Sequence, residues 1–242
     1  MSVFQKIILL TLLFVCELFV YGNVANAQIN VSTNLIKPTV EMIWEVNSYI
    51  PPFYKGKALY PVGGKTTVLA LPPASMGDPA TLTYKWKRDG TAQGSLSGVG
   101  KQSFTFEGSQ FGDVPLIVVE VSNGKTKEIG MVKMQKVNPI IRFYENRPLE
   151  GIALERVLPT SFTTTEKDMI IEAYPYFSST HAREEGSLSY TWTANGQKVS
   201  GATGASVAIQ SDEPRTIQLQ LLINHVTEIL QRASSSITIT LE

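Results

Sequence analysis

The sequence predicts an all-β protein, two tandem β-sandwiches behind an N-terminal export signal. Three observations carry that expectation. An apolar run with a positive start and a small-residue end occupies residues 1–27. The stretch LTYKWKRDG at residues 82–90 returns as LSYTWTANG at residues 188–196, with Leu, Tyr, Trp and Gly unchanged. Apolar and polar residues alternate with period two through both halves, and no long 3.6-period stripe interrupts them.

At the N-terminus, Lys6 supplies the positive charge and IILLTLLFVCELFVYG the apolar segment, interrupted only by Glu17. Ala25 and Ala27 flank Asn26 in an A-x-A cleavage pattern, so residues 1–27 are expected to be a signal peptide cut after Ala27. A retained anchor is the rival reading, but a spanning helix wants about 20 apolar residues. The run from Ile7 to Tyr21 is shorter and carries a carboxylate. Cys16 does not fit a lipidation site, because Val15 stands where a small residue is needed. Residues 28–36 then form a short N-terminal tether.

Cys16 is the one cysteine of the chain, so the exported part cannot be stapled by disulfides and must rely on packed cores. The 21 basic and 21 acidic residues cancel. A neutral chain lacks the basic field that nucleic acids or anionic membranes attract. No second apolar run follows the first, so no transmembrane span is expected in the mature chain.

The two repeats divide the rest into residues 37–137 and 138–242. Pro38 through Trp44-Glu45 matches Pro139 through Tyr144-Glu145 as a first strand. Gly56-Lys57-Ala58-Leu59 matches Gly151-Ile152-Ala153-Leu154. KTTVLALP at residues 65–72 matches KDMIIEAYP at 167–175 as the next strand. The repeated motif follows, with Leu82, Tyr84 and Trp86 on one face and Thr83, Lys85 and Lys87 on the other. Its second copy places Leu188, Tyr190 and Trp192 opposite Ser189, Thr191 and Thr193. Tyr84, Trp86, Tyr190 and Trp192 are therefore the expected structural core. Each strand runs into a turn dipeptide, Asp89-Gly90 or Asn195-Gly196, where positive φ costs little.

Downstream, SFTF at residues 103–106 answers SVAI at 206–209, and PLIVVEV at 115–121 answers TIQLQLLI at 216–223. EIGMVKMQ at 128–135 answers SITITLE at 236–242. About seven short, turn-punctuated strands, twice over, describe a tandem sandwich. Only Lys136, Val137 and Asn138 separate the two series, and Pro139 biases Asn138 towards an extended conformation. So short a joint is expected to be stiff, with the sandwiches end to end and Phe143–Tyr144 helping to hold the junction.

The Tyr-x-Trp-x-x-x-Gly strand and turn resembles the tryptophan–glycine strand of immunoglobulin-like domains of the PKD type. FYENRPLEGI at residues 143–152 and YPYF at 174–177 resemble a group of exported two-domain PKD-like proteins of ultra-small candidate-phylum bacteria. The resemblance covers nearly all of the mature chain and rests on packing motifs. It implies the fold and an exported, surface-associated setting, and no ligand. The chain lacks both the inter-sheet Cys pair of antibody-type domains and the aspartate-rich turn of PKD domains, so no metal role is carried over.

Motifs for chemistry are few. GGKTT at residues 63–67 and SGVGKQ at 97–102 lack the first glycine of a phosphate loop and open no helix. GSLSG at 94–98 has serines at its second and fourth positions, so it is no nucleophile elbow. The two histidines, His181 and His225, fall in loops expected at one pole of repeat two, with Glu184, Glu185 and Glu228 nearby. They are weak metal candidates, and solvated loop histidines are the preferred reading. Tyr174, Tyr176 and Phe177 leave the second strand of repeat two as a candidate contact loop; packing at the sandwich end or the domain junction is the favoured alternative.

The expected function is that of a non-enzymatic, exported module of the cell surface or envelope. It would need no cofactor, and its partner would be an envelope protein or a glycan. A carbohydrate-binding module using the pole aromatics is the second reading, and a metal-dependent hydrolase at the histidine pole the remote third.

Overall fold

The computed structural model describes residues 38–52, 54–108, 114–202 and 204–242. The expected signal peptide, its cleavage site at Ala27 and the tether at residues 28–36 lie outside them. In repeat one, β1 (Glu41–Val46), β2 (Tyr60–Pro61), β3 (Lys65–Leu71) and β4 (Thr83–Arg88) come first. They are followed by β5 (Thr91–Ala92), β6 (Gly98–Val99), β7 (Ser103–Glu107), β8 (Leu116–Ser122) and β9 (Lys127–Lys133). A two-residue strand, β10 (Lys136–Val137), precedes repeat two. There, β11 (Ile140–Arg147), β12 (Gly151–Ile152), β13 (Ser161–Thr164), β14 (Asp168–Tyr176) and β15 (Leu188–Ala194) lead to β16 (Gln197–Lys198). The chain closes with β17 (Ser206–Gln210), β18 (Arg215–His225) and β19 (Arg232–Leu241).

Each repeat makes two sheets. In repeat one, β1-β3-β7 faces β5-β4-β8-β9, with β6 on β4. Repeat two pairs β12-β11-β14-β17 against β13-β19-β18-β15-β16. Such an arrangement, with the central Trp strand in the second sheet of each pair, is that of a tandem immunoglobulin-like sandwich. The pairings are antiparallel except for β13 on β19 and β10 on β2.

Alternation sets the cores. Tyr84, Trp86, Ile117, Val119 and Val121 meet Val68, Ala70 and Phe104 in repeat one. Tyr190, Trp192, Leu219, Leu221, Ile237 and Ile239 meet Phe143, Ile171 and Val207 in repeat two. Trp86 and Trp192 are fully buried, and each indole N–H is satisfied, by Lys101 O at 2.8 Å and by Gly204 O at 2.9 Å. Both turn dipeptides adopt positive φ at both positions: Asp89 50°, Gly90 80°, Asn195 49° and Gly196 80°. That matches the right-handed twist of the strands they join.

Two details of the chain path differ from the sequence expectation. Lys136 and Val137, read as a bare linker, form β10 and pair in parallel with Tyr60 and Pro61. Period-two patterning cannot reveal a two-residue strand. Of the matched segments at residues 56–59 and 151–154, only Gly151–Ile152 lies in a strand, whereas repeat one pairs through Tyr60–Pro61.

Candidate functional site

The joint concentrates the side chains that the sandwich cores do not use. After β1, the chain continues as Asn47, Ser48 and Tyr49, with the Asn47 amide held by Lys65 O at 3.0 Å. Tyr49 then enters repeat two by its backbone. Its amide donates to Ser178 O at 2.8 Å, and the Phe177 amide donates to Tyr49 O at 2.6 Å. This reciprocal pair lets the chain of one repeat act as a short strand against the end of β14. Phe177 sits at φ 63°, a left-handed conformation that costs a non-glycine residue about 1–3 kcal/mol.

β14 explains why the joint forms here. From Ile171 to Tyr176 it is buried on both faces, whereas most strands of the chain alternate. Ile171 and Ala173 point into the sandwich core, and Glu172, Tyr174 and Tyr176 point outward. On that outer face Tyr144 of β11 meets Tyr174 edge-on at 5.1 Å, and the Tyr176 hydroxyl donates to the Tyr144 hydroxyl at 3.1 Å. Tyr49 stacks on Tyr176 at 5.8 Å and on Tyr174 at 6.3 Å. Tyr54 meets Phe177 edge-on at 6.0 Å. A residue of repeat one thus covers an aromatic sheet face that would otherwise be wet.

This corrects the contact-loop expectation. Tyr174 and Tyr176 belong to a strand and are buried, Tyr176 being only 2% exposed. Phe177 is half-buried against Tyr54. Tyr174 and Tyr176 have no free face to offer a glycan.

Charge is buried beside the tyrosines. Glu172, 4% exposed, accepts from Arg183 at 2.7 Å, Asn146 at 3.0 Å and Ser206 at 2.5 Å. Burial pushes its carboxyl up, but hydrogen bonds from Ser206, Asn146 and Arg183 outweigh it and hold the group below its ordinary value. The Arg183 guanidinium lies 4.5 Å over the Tyr174 ring and also pairs with Glu184. Burial raises Tyr49 to about 12, and raises Tyr176 further, with its bond to Tyr144 adding to the effect.

The histidine pole is organised by the backbone. His225, expected in a loop and solvated, is the last residue of β18 and is buried. Its Nδ1 accepts the amide of Glu228 at 3.0 Å and that of Thr227 at 3.3 Å, so the proton must sit on Nε2. Nε2–H then donates to Ser179 O at 3.0 Å. Both nitrogens are engaged by the main chain, which leaves no lone pair for a metal. His181 is exposed, and its amide donates to the Glu185 carboxylate at 2.9 Å. Glu184 serves Arg183, and Glu228 packs against Gly63 of repeat one. The pole thus brings His225 and Glu228 together without turning them towards one point, and among the described residues no three His, Cys, Asp or Glu side chains group to hold a metal ion.

Gln231 is a second latch that the sequence reading passed over. It is buried; its side-chain amide donates to Val62 O of repeat one and its Oε1 accepts the Ser179 amide at 2.9 Å. No local signal marks it, because its partners are main-chain atoms far away in sequence. Beside Tyr49 lies a groove of about 560 Å³, lined by Glu45, Asn47, Ser48, Tyr49, Lys65 and His181 among others. The buried side-chain oxygens of Asn47 and Ser48 have no hydrogen-bond partner among the described residues.

The joint and its two sandwiches define an immunoglobulin-like tandem module. No family model matches the chain, and no curated protein matches it. Among solved structures it is similar to the three N-terminal domains of the bacteriophage RB49 highly immunogenic outer capsid protein, at 17% identity and a TM-score of 0.46. That match covers 83% of this chain, which spans 59% of the other's length. It is also similar to fibronectin(III)-like modules of Clostridium thermocellum CbhA, at 9% identity and a TM-score of 0.27, covering 83% of this chain and 94% of that one. The N-terminal four Ig domains of Dscam1 isoform 6.9 match at 10% identity and a TM-score of 0.31, over 81% of this chain and 46% of theirs. Among the described residues, no helix is long and apolar enough to cross a membrane.

Proposed function

We propose that the chain is an exported, non-enzymatic module of the bacterial envelope or cell surface, in which residues 37–137 and 138–242 form a stiff two-sandwich spacer. It belongs, on this reading, with the PKD-like exported proteins that its tryptophan–glycine strands resemble. Its contacts are made by loops and sheet surfaces, with no turnover. The observation that carries the reading is the reciprocal backbone pairing of Tyr49 with Phe177 and Ser178, inside a cluster of tyrosines drawn from both repeats. A random-coil tether has no such contacts, and an enzyme closing around a substrate needs a joint that opens.

Distance measurement between spin labels tests it. Lys125→Cys in repeat one and Lys198→Cys in repeat two are exposed positions remote from the joint. A single narrow distance distribution is expected. A broad one sinks the spacer.

A further inference from the structure

Resting on the envelope reading above, we propose that the groove beside Tyr49 is a binding site and that its ligand is a neutral, hydroxyl-rich glycan. Both repeats build this groove. Repeat one supplies Glu45, Asn47, Ser48 and Lys65, and His181 comes from repeat two. A volume of about 560 Å³ is that of a small-molecule site.

Strand pairing brings opposite charges to it. Glu45 lies opposite Thr67 in the β1–β3 ladder, and Lys65 stands two residues from Thr67 on the same exposed face. Glu45 and Lys65 are therefore diagonal neighbours, within reach of long side chains. Neither the carboxylate nor the ammonium makes a hydrogen bond or ion pair with any described residue. The grooves of about 400 and 440 Å³ at the other end of repeat two differ. There Arg147 holds Glu145 at 3.3 Å and Glu150 at 2.9 Å, so charge is met within the protein.

A second observation lies in the wall. The side-chain oxygens of Asn47 and Ser48 are buried and have no partner among the described residues. Buried polar groups are nearly always hydrogen-bonded, and one left unmet carries its full desolvation penalty. Two adjacent residues of one groove share this defect. An occupant with hydroxyl donors supplies the missing partners once these short side chains turn towards it.

Chemistry selects the class of ligand. A simple anion would meet Glu45, and a simple cation would meet Lys65. An apolar molecule would strip water from both charges and replace it with nothing. A sugar hydroxyl donates to a carboxylate and accepts from an ammonium, so one kind of group serves both as charge-assisted bonds. Tyr49, half-buried against Tyr176 and Tyr174, joins Ile50 and Ala58 in the lining and offers an apolar strip to the C–H face of a sugar ring.

Titration calorimetry of the full chain tests this. The neutral probes are cellotriose, mannotriose and N-acetylchitotriose; trigalacturonate is the anionic control and fully deacetylated chitotriose the cationic one. Glu45, Lys65 and His181 are exposed, so Glu45→Ala, Lys65→Ala and His181→Ala should keep the wild-type melting temperature. At least one neutral trisaccharide should bind saturably and more tightly than either charged control. Each variant should lose about tenfold in that affinity, as for one hydrogen bond to a charged group. No binding of any neutral probe at millimolar concentration overturns the site. So does tighter binding of a charged control, or variants that bind as well as wild type. The Lys125→Cys/Lys198→Cys distances separate this failure from that of the spacer. A narrow distribution without sugar binding removes the site alone, and a broad one with binding that the variants lose removes the spacer alone.

Discussion

Tyr49 and Phe177, which belong to different repeats, are bound through their main chains: the Phe177 amide donates to the Tyr49 carbonyl at 2.6 Å. The side chain of Tyr49 then lies on Tyr176 at 5.8 Å, nearly parallel. Backbone and ring act on the same residue, so the joint is fixed in position by one and in rotation by the other. Removing the ring alone, by Tyr49→Ala, should cost about 1 kcal/mol for the lost aromatic packing. The expected outcome is a broadened inter-repeat distance distribution, with the fluorescence of the three tryptophans unchanged.

The cores themselves depend on Trp86 and Trp192. Each fills the centre of its sandwich and satisfies a main-chain carbonyl. Replacement of either by Ala should destabilise its repeat by about 3–5 kcal/mol through lost burial and the cavity left behind. Denaturant titration should show the loss confined largely to the mutated repeat.

Alkaline pH should weaken the joint. An unfolded tyrosine ionises near 10, whereas desolvation pushes half-buried Tyr49 up to about 12 and raises buried Tyr176 as well. Because the folded values are raised, the stability they contribute is complete below about pH 10 and is lost as pH rises through the folded values. Melting temperature should fall above pH 10, and Tyr49→Phe should flatten that fall. A slope that Tyr49→Phe leaves unchanged would place the titrating group elsewhere.

Glu172 sets the opposite limb. Its lowered value means that its contribution is present above its ordinary value of 4.5 and disappears as pH falls through the folded one. Glu172→Ala leaves Arg183 with the exposed Glu184 as its carboxylate partner, and should cost about 3 kcal/mol at neutral pH, towards the low end for a broken buried pair. The variant should also lose part of the acid sensitivity of the wild type, as read by thermal melts across the acid range.

Zinc should do nothing at the histidine pole. A native-state ligand must raise stability, and His225 has both nitrogens committed to Ser179, Thr227 and Glu228. Equal melting curves with chelator and with stoichiometric zinc are expected. A saturable rise that vanished in the His181→Ala/His225→Ala double variant would show that the pole rearranges to bind.

By itself the sequence determined the fold class. Period-two alternation, two copies of the Tyr-x-Trp strand and two positive-φ turn dipeptides are local signals, each readable within ten residues, and they agree with one another. The absence of cysteine from residues 28–242 likewise determined that the cores must be close-packed. Only the tertiary structure decided where Tyr174 and Tyr176 go. In a half-buried strand alternate residues face water, and nothing near residue 174 tells that Tyr49, far off in the chain, will cover that face. The same holds for Gln231, whose partners are main-chain atoms of Val62 and Ser179. His225 completes the case. A histidine at a strand end reads as solvated until the returning loop supplies the amides that its Nδ1 accepts. Alternation is a property of a strand, while burial of its outer face is a property of what arrives from elsewhere. Long-range contacts leave no period in the sequence, and the joint is made almost entirely of them.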